Sequence, residues 1–219
     1  MNNADCSQDI VIVGAGGLAR EIEWTIRRIN SAADRKWNFI GYIANNKEDA
    51  ERYRMNVLGD DDWLLKQTGL SVIIGIGNPT VRLKVANKFL EKFSDEIFPV
   101  IVDPSVIMDD RTVSLGAGSI ITAGCVLTVN VDIQPFAYLN LNCTIGHESV
   151  VGRASILNPT VKISGGVNIG DGALIGTGAT ILQYLNIGGF STVGAGAVVT
   201  KDVAPQTTVV GIPAKELRV

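Results

Sequence analysis

The sequence contains a single histidine, His147, and three cysteines, none of which forms a Cys-x-x-Cys pair. Protein zinc sites are assembled from several His and Cys ligands, so a metal site has no support here. Lysine and arginine together number 19 against 22 acidic residues, which excludes the broad positive surface that holds nucleic acid or an anionic membrane. No apolar run approaches the roughly 20 residues needed to span a bilayer, so no membrane insertion is expected.

The first nine residues are polar and lack the charged and apolar segments of a secretion signal. We therefore expect a cytoplasmic protein, and the cysteines agree with a reducing compartment. Cys125 and Cys143 are eighteen residues apart. A disulfide or two buried thiols would both fit that spacing, and the thiols are favoured. Cys6 lies in the polar N-terminal segment.

What the sequence does have is a strict six-residue repeat of aliphatic residues, a period that fits neither an α-helix nor a β-strand. Such a repeat is typical of a parallel β-helix, in which each hexapeptide forms one side of a triangular coil and residues eighteen apart stack. Fifteen hexapeptides predict about five coils, roughly 24 Å tall at the usual strand spacing. The repeated residues are Leu115, Ile121, Leu127, Ile133, Leu139, Ile145, Val151, Leu157, Ile163, Ile169, Ile175, Ile181, Ile187, Val193 and Val199.

A second pattern runs inside the first. The position four residues after each aliphatic is small or branched, as at Ser119 and Cys125, and should point inward with the aliphatic of the next hexapeptide. Glycine commonly follows the aliphatic, as at Gly116 and Gly146. We expect those glycines to turn the corners of the coil with positive φ.

The first hundred residues follow a different pattern, in which apolar strands alternate with helices. This alternation predicts a small parallel sheet, about half of a dinucleotide-binding domain. We expect a Rossmann-like α/β domain in residues 1–103 and the β-helix with its C-terminal tail in residues 104–219. The predicted strands are residues 9–13, 39–43, 71–77 and 97–102, and the predicted helices are residues 14–30, 60–67 and 79–93.

Two glycine-rich turns fall at the carboxyl edge of this predicted sheet, where ligands of open α/β sheets bind. The first, Gly14-x-Gly16-x-x-Ala19, leads from strand into helix, so backbone N–H groups at the helix start could hold a phosphate. No carboxylate follows the second strand, which disfavours NAD and leaves another nucleotide or a purely structural turn. The residues predicted to bind this substrate are Gly14, Gly16, Gly17, Asn45, Gly75, Gly77, Asn78 and Arg82.

His147 lies two residues past Ile145, at a predicted outward corner, and Glu148 follows it. A lone histidine is often incidental, but an adjacent carboxylate can orient the ring and stabilise the imidazolium. Gly165, one coil along, should stack beside His147 and leave a gap with an accessible backbone N–H. That combination favours a general base next to an oxyanion donor, as a thioester carbonyl would require.

Five segments carry a family resemblance: residues 14–21, 75–78, 140–148, 198–203 and 211–215. In this order they resemble the family of NeuD sialic acid O-acetyltransferases and PglD-like sugar N-acetyltransferases. The last segment alone, Gly-Ile-Pro-Ala-Lys, is shared by many hexapeptide-repeat acyltransferases. The pairing of a glycine-rich α/β domain with a single Gly-His-Glu is the more selective feature.

The resemblance implies a left-handed β-helix and a homotrimer with active sites between neighbouring prisms. It also implies acetyl-CoA as the donor and a nucleotide-linked sugar or sialic acid as the acceptor, in surface glycan biosynthesis. Carried over by position, His147 is the general base, Glu148 its partner and Gly165 a donor near the acetyl carbonyl. The residues expected to line the CoA cleft are Gly165, Ala179, Gly194, Ala197, Lys201 and Pro213.

N-acetylation of a nucleotide-linked amino sugar is the favoured function, and O-acetylation of sialic acid or a related sugar is the alternative. A non-catalytic trimeric binding or scaffold protein is the alternative of another class, and a nucleotide-sensing regulator would rest only on the glycine turns. The sequence departs from the family at Leu18 and Ile156, where members often carry histidine, and at Asn45 and Asn46, where Asp is common. These departures concern the acceptor.

Overall fold

The computed structural model describes residues 7–32, 36–46 and 48–217, so Cys6 lies outside the described residues. The chain forms an N-terminal Rossmann-like α/β domain followed by a C-terminal left-handed parallel β-helix, as the sequence predicted. Among the described residues, no helix combines the length and apolar character that crossing a membrane requires.

The α/β domain is built around a parallel sheet whose strands lie in the order Val57–Gly59, Trp37–Ile43, Gln8–Val13 and Ser71–Ile74. The central strand is apolar from Ile10 to Val13 because both of its faces are covered. Helix α4 begins where Asn78 accepts a hydrogen bond from the Val81 N–H and Pro79 takes the first helical position. The elements are β1 (Gln8–Val13), α1 (Gly17–Ala32), β2 (Trp37–Ile43), α2 (Glu48–Arg52), β3 (Val57–Gly59), α3 (Asp61–Leu64), β4 (Ser71–Ile74), α4 (Pro79–Leu90) and a 3-10 helix (Asp95–Ile97).

The last predicted strand of this sheet belongs to the other domain. Ile101–Val102 pairs in parallel with Ile120–Ile121 of the β-helix. Ile101 is buried beneath the α/β domain and Val102 packs against the interior of the β-helix. Because both sides of this short strand are covered, both of its residues are apolar. An apolar run of this kind is also typical of a buried strand in a parallel sheet, which is why the sequence placed it in the α/β domain.

The β-helix has three sheets of two- or three-residue strands. The first sheet, which we call the docking sheet because the α/β domain packs on it, contains Ile101–Val102, Ile120–Ile121, Tyr138–Leu139, Ile156–Leu157, Leu174–Ile175, Thr192–Val193, Thr208–Val210 and, antiparallel at its end, Lys215–Glu216. The six-stranded sheet contains Ile107–Met108, Val126–Leu127, Thr144–Ile145, Lys162–Ile163, Thr180–Ile181 and Val198–Val199. The five-stranded sheet contains Ser114–Leu115, Asp132–Ile133, Val150–Val151, Asn168–Ile169 and Asn186–Ile187. Paired strands within the repeat are eighteen residues apart, as at Thr144 and Lys162. The spacing changes at the first coil, where Ile101 pairs with Ile120 and Ile107 with Val126, and at the last, where Thr192 pairs with Thr208.

The interior of the prism is filled as the repeat predicted, because the aliphatic positions and the small positions four residues after them form one buried cluster. Cys125 and Cys143 are free and buried in this cluster. The Cys125 thiol donates to the Asn140 carbonyl oxygen at 3.1 Å. A hydrogen bond to Cys125 and burial together raise the pKa of Cys143.

The expectation about glycine at the corners was wrong in its reason. From Gly118 to Gly196, positive φ recurs at the third residue after the aliphatic, as at Asn130 and Glu148, and not at the glycine that follows the aliphatic directly. That first glycine is required by close stacking: a Cβ at Gly146 would lie 2.6 Å from the backbone nitrogen of Gly165. The corner glycines therefore allow neighbouring coils to approach.

The α/β domain packs on the docking sheet. The outward residues Ile120, Tyr138 and Ile156 are buried with Ile22 and Ile26 of α1. At the edge of this interface Arg28 donates to both carboxylate oxygens of the buried Asp103, at 2.6 and 3.1 Å. The triangular prism thus has one side covered by the α/β domain, while the corner opposite that side is left free of it.

Candidate functional site

His147 and Glu148 lie at that opposite corner, where the six-stranded sheet turns into the five-stranded sheet. We call it the His147 corner. The two side chains are about half exposed, at 51% and 62%, and Nδ1 of His147 is 3.4 Å from Oε2 of Glu148. Glu148 takes the positive-φ position of its hexapeptide (φ 59°), which turns its carboxylate back towards the ring. With Nδ1 facing the carboxylate, Nε2 is the nitrogen left to accept a proton.

Gly165 lies beside His147, as the eighteen-residue spacing predicted. A Cβ built on Gly165 would lie 2.5 Å from Cε1 and 2.8 Å from Cδ2 of the imidazole, so the ring occupies the space that a side chain would need. The Gly165 carbonyl accepts from the Tyr184 N–H at 3.0 Å, and the Gly166 N–H donates to the His147 carbonyl at 2.7 Å. The Gly165 N–H has no acceptor among the described residues.

The His147 corner continues along the prism in steps of eighteen residues. Gln183 follows Gly165, and Lys201 follows Gln183 at the last coil, where both side chains are exposed. Asp202 next to Lys201 accepts from the Asn186 N–H at 2.8 Å and fixes this end of the column. A base, the Gly165 N–H and a lysine therefore stand in one row that is about 14 Å long at the usual strand spacing.

Two residues expected to line the CoA cleft do not lie at the surface. Ala179 and Ala197 are fully buried inside the prism, and their carbonyls accept from the Lys162 and Thr180 N–H groups. Both occupy the small inward position of the repeat, so neither side chain can contact a surface ligand. Gly194 is half-buried at another corner, and Pro213 is exposed in the turn after Val210, where Ala214 donates to the Val198 carbonyl at 2.7 Å.

A separate cleft of about 380 Å³ opens at the carboxyl edge of the α/β sheet. Gly14 has a φ of 109°, and a Cβ built on it would lie only 2.9 Å from the Gly75 carbonyl oxygen. A residue without a side chain therefore lets the first glycine turn pass close to Gly75. Of the predicted binding residues, Gly14, Gly16 and Asn45 line the cleft, and Gly17 begins α1 next to it. The lining residues are Val13, Gly14, Ala15, Gly16, Ile43, Ala44, Asn45, Asn46, Glu48, Asp61, Ile76, Val81 and Val85.

The remaining predicted binding residues have structural partners. Gly75 is buried against Ile12 and Ala19, and the Asn78 side chain caps α4. Gly77 is exposed near Leu18, outside the lining of the cleft. Arg82 is fully buried at the interface between the domains.

Arg82 holds the two domains together. Its Nε donates to the Phe136 carbonyl of the β-helix at 2.6 Å, and its Nη1 donates to the Ile74 carbonyl of β4. Burial lowers the pKa of Arg82 to about 10. Since its guanidinium faces the interior, Arg82 supports the cleft from behind and does not reach into it.

The structure also supplies carboxylates that sequence reasoning missed. Glu48 and Asp61 both line the cleft. Asp61 is bound to Lys88 at 2.8 Å, and its N–H donates to the Asn45 side chain at 3.3 Å. The acidic run Asp60-Asp61-Asp62 could have indicated a carboxylate at the cleft. It lies well after the end of β2 in the sequence, so no local pattern connected it with the cleft.

Comparison with known proteins finds a family match in the α/β domain and solved structures that resemble nearly the whole chain. Residues 9–89 match the family described as the PglD N-terminal domain. PerB from Caulobacter crescentus, in complex with CoA and GDP-perosamine, superposes with a TM-score of 0.83 at 27% identity, over 96% of this chain and 97% of that one.

Two further comparisons cover the chain unequally. WeeI from Acinetobacter baumannii gives a TM-score of 0.78 at 28% identity, over 95% of this chain and 99% of that one. A Schizosaccharomyces pombe protein named for acetyltransferase activity is 55% identical over 38 residues, which span 17% of this chain and 18% of that protein. Residues 9–89 thus match the PglD N-terminal domain, and nearly the whole chain resembles sugar acetyltransferases of the PglD/NeuD-like family.

Proposed function

We propose that this protein transfers an acetyl group from acetyl-CoA to the amine of a nucleotide-linked amino sugar, with His147 as the general base. The observation that carries the proposal is the placement of the His147 imidazole over Gly165, with a carboxylate on one ring nitrogen. PerB, which resembles this chain over nearly its whole length, binds CoA and GDP-perosamine.

The residues of the His147 corner fit an acyl transfer. The acceptor nitrogen attacks the thioester carbonyl, the new C–N bond forms, and the C–S bond breaks with its electron pair on the CoA sulfur. His147 Nε2 takes the proton from the amine and can return it to the thiolate, so that free CoA and an amide leave. Glu148 stabilises the imidazolium, and the Gly165 N–H donates to the carbonyl oxygen as negative charge develops on it. Lys201 would meet the CoA phosphates at the far end of the row.

The acceptor fits the α/β cleft. The glycine turn and the start of α1 present backbone N–H groups suited to a diphosphate. Asn45, Glu48 and Asp61 offer side-chain acceptors at the same cleft for a ribose or a base. We therefore assign the nucleotide of the acceptor to this cleft and its sugar to the space beyond it, as part of surface glycan biosynthesis in the cytoplasm.

This assignment needs more than one copy of the chain. The α/β domain covers the docking sheet, and His147 lies at the corner opposite that sheet. An acceptor held in the cleft of one protomer is therefore better placed for His147 of another, which supports a homotrimer with active sites between neighbouring prisms. Light scattering should give about 70 kDa, three times the 23.3 kDa of one chain.

The test is release of free thiol from acetyl-CoA in the presence of a panel of GDP-, UDP- and TDP-linked amino sugars and of sialic acids. One amino sugar should be turned over by the wild type, and His147→Ala should lower kcat by about 10²- to 10⁴-fold. Lys66→Ala, at an exposed position of the α/β domain outside the lining of the cleft, is the control and should retain full activity.

Product chemistry separates the alternatives. An amide product withstands neutral hydroxylamine, whereas an O-acetyl ester is cleaved by it and would favour O-acetylation of a sugar such as sialic acid. Turnover by His147→Ala at the wild-type rate would contradict the role of His147. Failure to bind CoA at all would contradict the enzyme assignment in favour of a scaffold.

A further inference from the structure

At the His147 corner, two aromatic rings lie against two adjacent glycines. The His147 ring comes from the preceding coil and lies over Gly165. The Tyr184 ring comes from the following coil and lies over Gly166, where a built Cβ would be 2.6 Å from Tyr184 Cε1. Because both glycines lack a side chain, the backbone of residues 165 and 166 is left bare beside the two rings, and we call this stretch of backbone with its two rings the slot.

Tyr184 is held in this position by its backbone. Its N–H donates to the Gly165 carbonyl at 3.0 Å, and it takes the positive-φ position of its hexapeptide at 60°. The residue is nevertheless 67% exposed, so its ring lies against the coil on one face and is open to solvent on the other. The ring therefore faces the same solvent-filled corner as the imidazole.

The proposed function places the donor in this slot, and the inference rests on it. A molecule that reaches from the Gly165 N–H to Lys201 must pass the intervening coil, which carries Gln183 and Tyr184 at this corner. With the acyl oxygen on the Gly165 N–H and the acyl carbon near the acceptor held at His147, the remainder of the acyl group extends along the slot towards Gly166. The Tyr184 ring already fills that side.

We propose that Tyr184 selects the donor: its ring closes the Gly166 side of the slot and limits the acyl group to acetyl. An acetyl group ends at its methyl carbon and needs no space beyond Gly165. Each further methylene of a propionyl or butyryl group would have to displace the ring. A site that accommodates or excludes one methylene group typically discriminates by about 10- to 200-fold.

The test is calorimetric titration of CoA, acetyl-CoA, propionyl-CoA and butyryl-CoA into the wild type, Tyr184→Gly and Tyr184→Phe. The wild type should bind butyryl-CoA at least tenfold more weakly than acetyl-CoA. Tyr184→Gly should reduce that ratio to within about threefold, and its positive φ makes glycine well tolerated there. Tyr184→Phe keeps the ring and should keep the wild-type ratio.

Phe190 provides a matched control. It repeats the arrangement at another corner: its φ is 57°, and a Cβ on Gly172 would lie 2.6 Å from its Cε1. Phe190→Gly removes an equivalent ring and should leave the acyl ratio unchanged.

The outcomes are distinct. Equal binding of acetyl- and butyryl-CoA by the wild type, or an unchanged ratio in Tyr184→Gly, contradicts the role of Tyr184 while CoA binding itself still supports the enzyme. If neither CoA nor acetyl-CoA binds the wild type, the proposed function fails and the selection by Tyr184 fails with it.

Discussion

The imidazole of His147 lies over Gly165, in the space where any larger residue at position 165 would place its Cβ. The eighteen-residue period of the prism creates this relationship, because it stacks the corner of one coil on the corner of the next. One residue thereby provides both room for the ring and a backbone N–H without an acceptor among the described residues.

Gly165→Ala should therefore lower activity without unfolding the protein. The new methyl group would meet an exposed side chain that can move, so we expect the ring to swing away at little loss of stability. A misplacement of about 1 Å can lower kcat by about 10²-fold. Steady-state kinetics and thermal unfolding of the same preparation check both halves of this expectation.

Gly189→Ala is the control for that variant. Gly189 has the same position in its hexapeptide at a different corner, and its Cβ would lie 3.1 Å from the Asp171 carbonyl oxygen. Equal losses of activity in the two variants would show that strain of the coil, and not displacement of His147, is responsible.

Glu148→Gln tests the carboxylate beside the ring. Its contact with Nδ1 is 3.4 Å long and both partners are about half exposed, so solvent weakens the interaction. Exposed pairs contribute roughly 0.2–1 kcal/mol, and we therefore expect kcat to fall by only about 1.4- to 5-fold, with the KM for acetyl-CoA unchanged. A loss as large as that of His147→Ala would instead indicate that assembly with a neighbouring protomer buries the pair.

The fold could be predicted from sequence because its main constraint is periodic. Every sixth residue is aliphatic, and the position four residues later is small. A triangular coil is the arrangement that buries the aliphatic and the small side chains together. The same pattern contained a further signal: the docking sheet carries four consecutive apolar residues at the outward strand position (Ile120, Tyr138, Ile156 and Leu174), whereas the other two sheets mix apolar residues there with polar ones such as Ser114, Asp132, Thr144 and Lys162. That difference marks the side on which the α/β domain docks.

The site was predictable in part, for a related reason. Spacing along the repeat places Gly165 beside His147. The same spacing places the side chains of Ala179 and Ala197 inside the prism, but the family resemblance assigned both residues to the CoA cleft. In the α/β domain nothing periodic connects distant segments. Asp61 reaches the cleft sixteen residues after Asn45 through the packing of α3, and Arg82 is withdrawn from it by bonds to Ile74 and Phe136. Both depend on tertiary packing.

Arg82→Met should loosen the interface between the domains. The substitution keeps an apolar stem but leaves the Phe136 and Ile74 carbonyls without their donor in a buried place. A buried acceptor left unpaired costs about 1–3 kcal/mol, and we expect a loss of unfolding free energy in that range or slightly above it. Urea denaturation measures it, with Lys84→Met on the same helix as the control. A loss below about 0.5 kcal/mol would contradict the role given to Arg82.

Asp103→Asn should lower stability in a pH-dependent way. Burial alone would raise the pKa of Asp103, but hydrogen bonds from Arg28 and Ser105 outweigh burial and lower it below its ordinary value. A carboxyl group with a lowered pKa contributes stability that is present above its unfolded pKa of about 3.9 and is lost as pH falls through the folded pKa. We expect Asp103→Asn to cost about 1–3 kcal/mol at pH 7, because the buried oxygens accept from Arg28 at 2.6 Å and from the Ser105 hydroxyl at 2.6 Å.

The difference in unfolding free energy between wild type and Asp103→Asn should then shrink as pH falls below about 4, since the wild-type carboxyl group becomes neutral as well. Denaturant unfolding at a series of pH values from 7 to 3 measures this difference. Asp110→Asn, an exposed neighbour on the first coil, should track the wild type throughout. A constant difference between wild type and Asp103→Asn across the series would show that the charge of Asp103 contributes nothing, and that its place between α1 and the first coil depends on neutral hydrogen bonds alone.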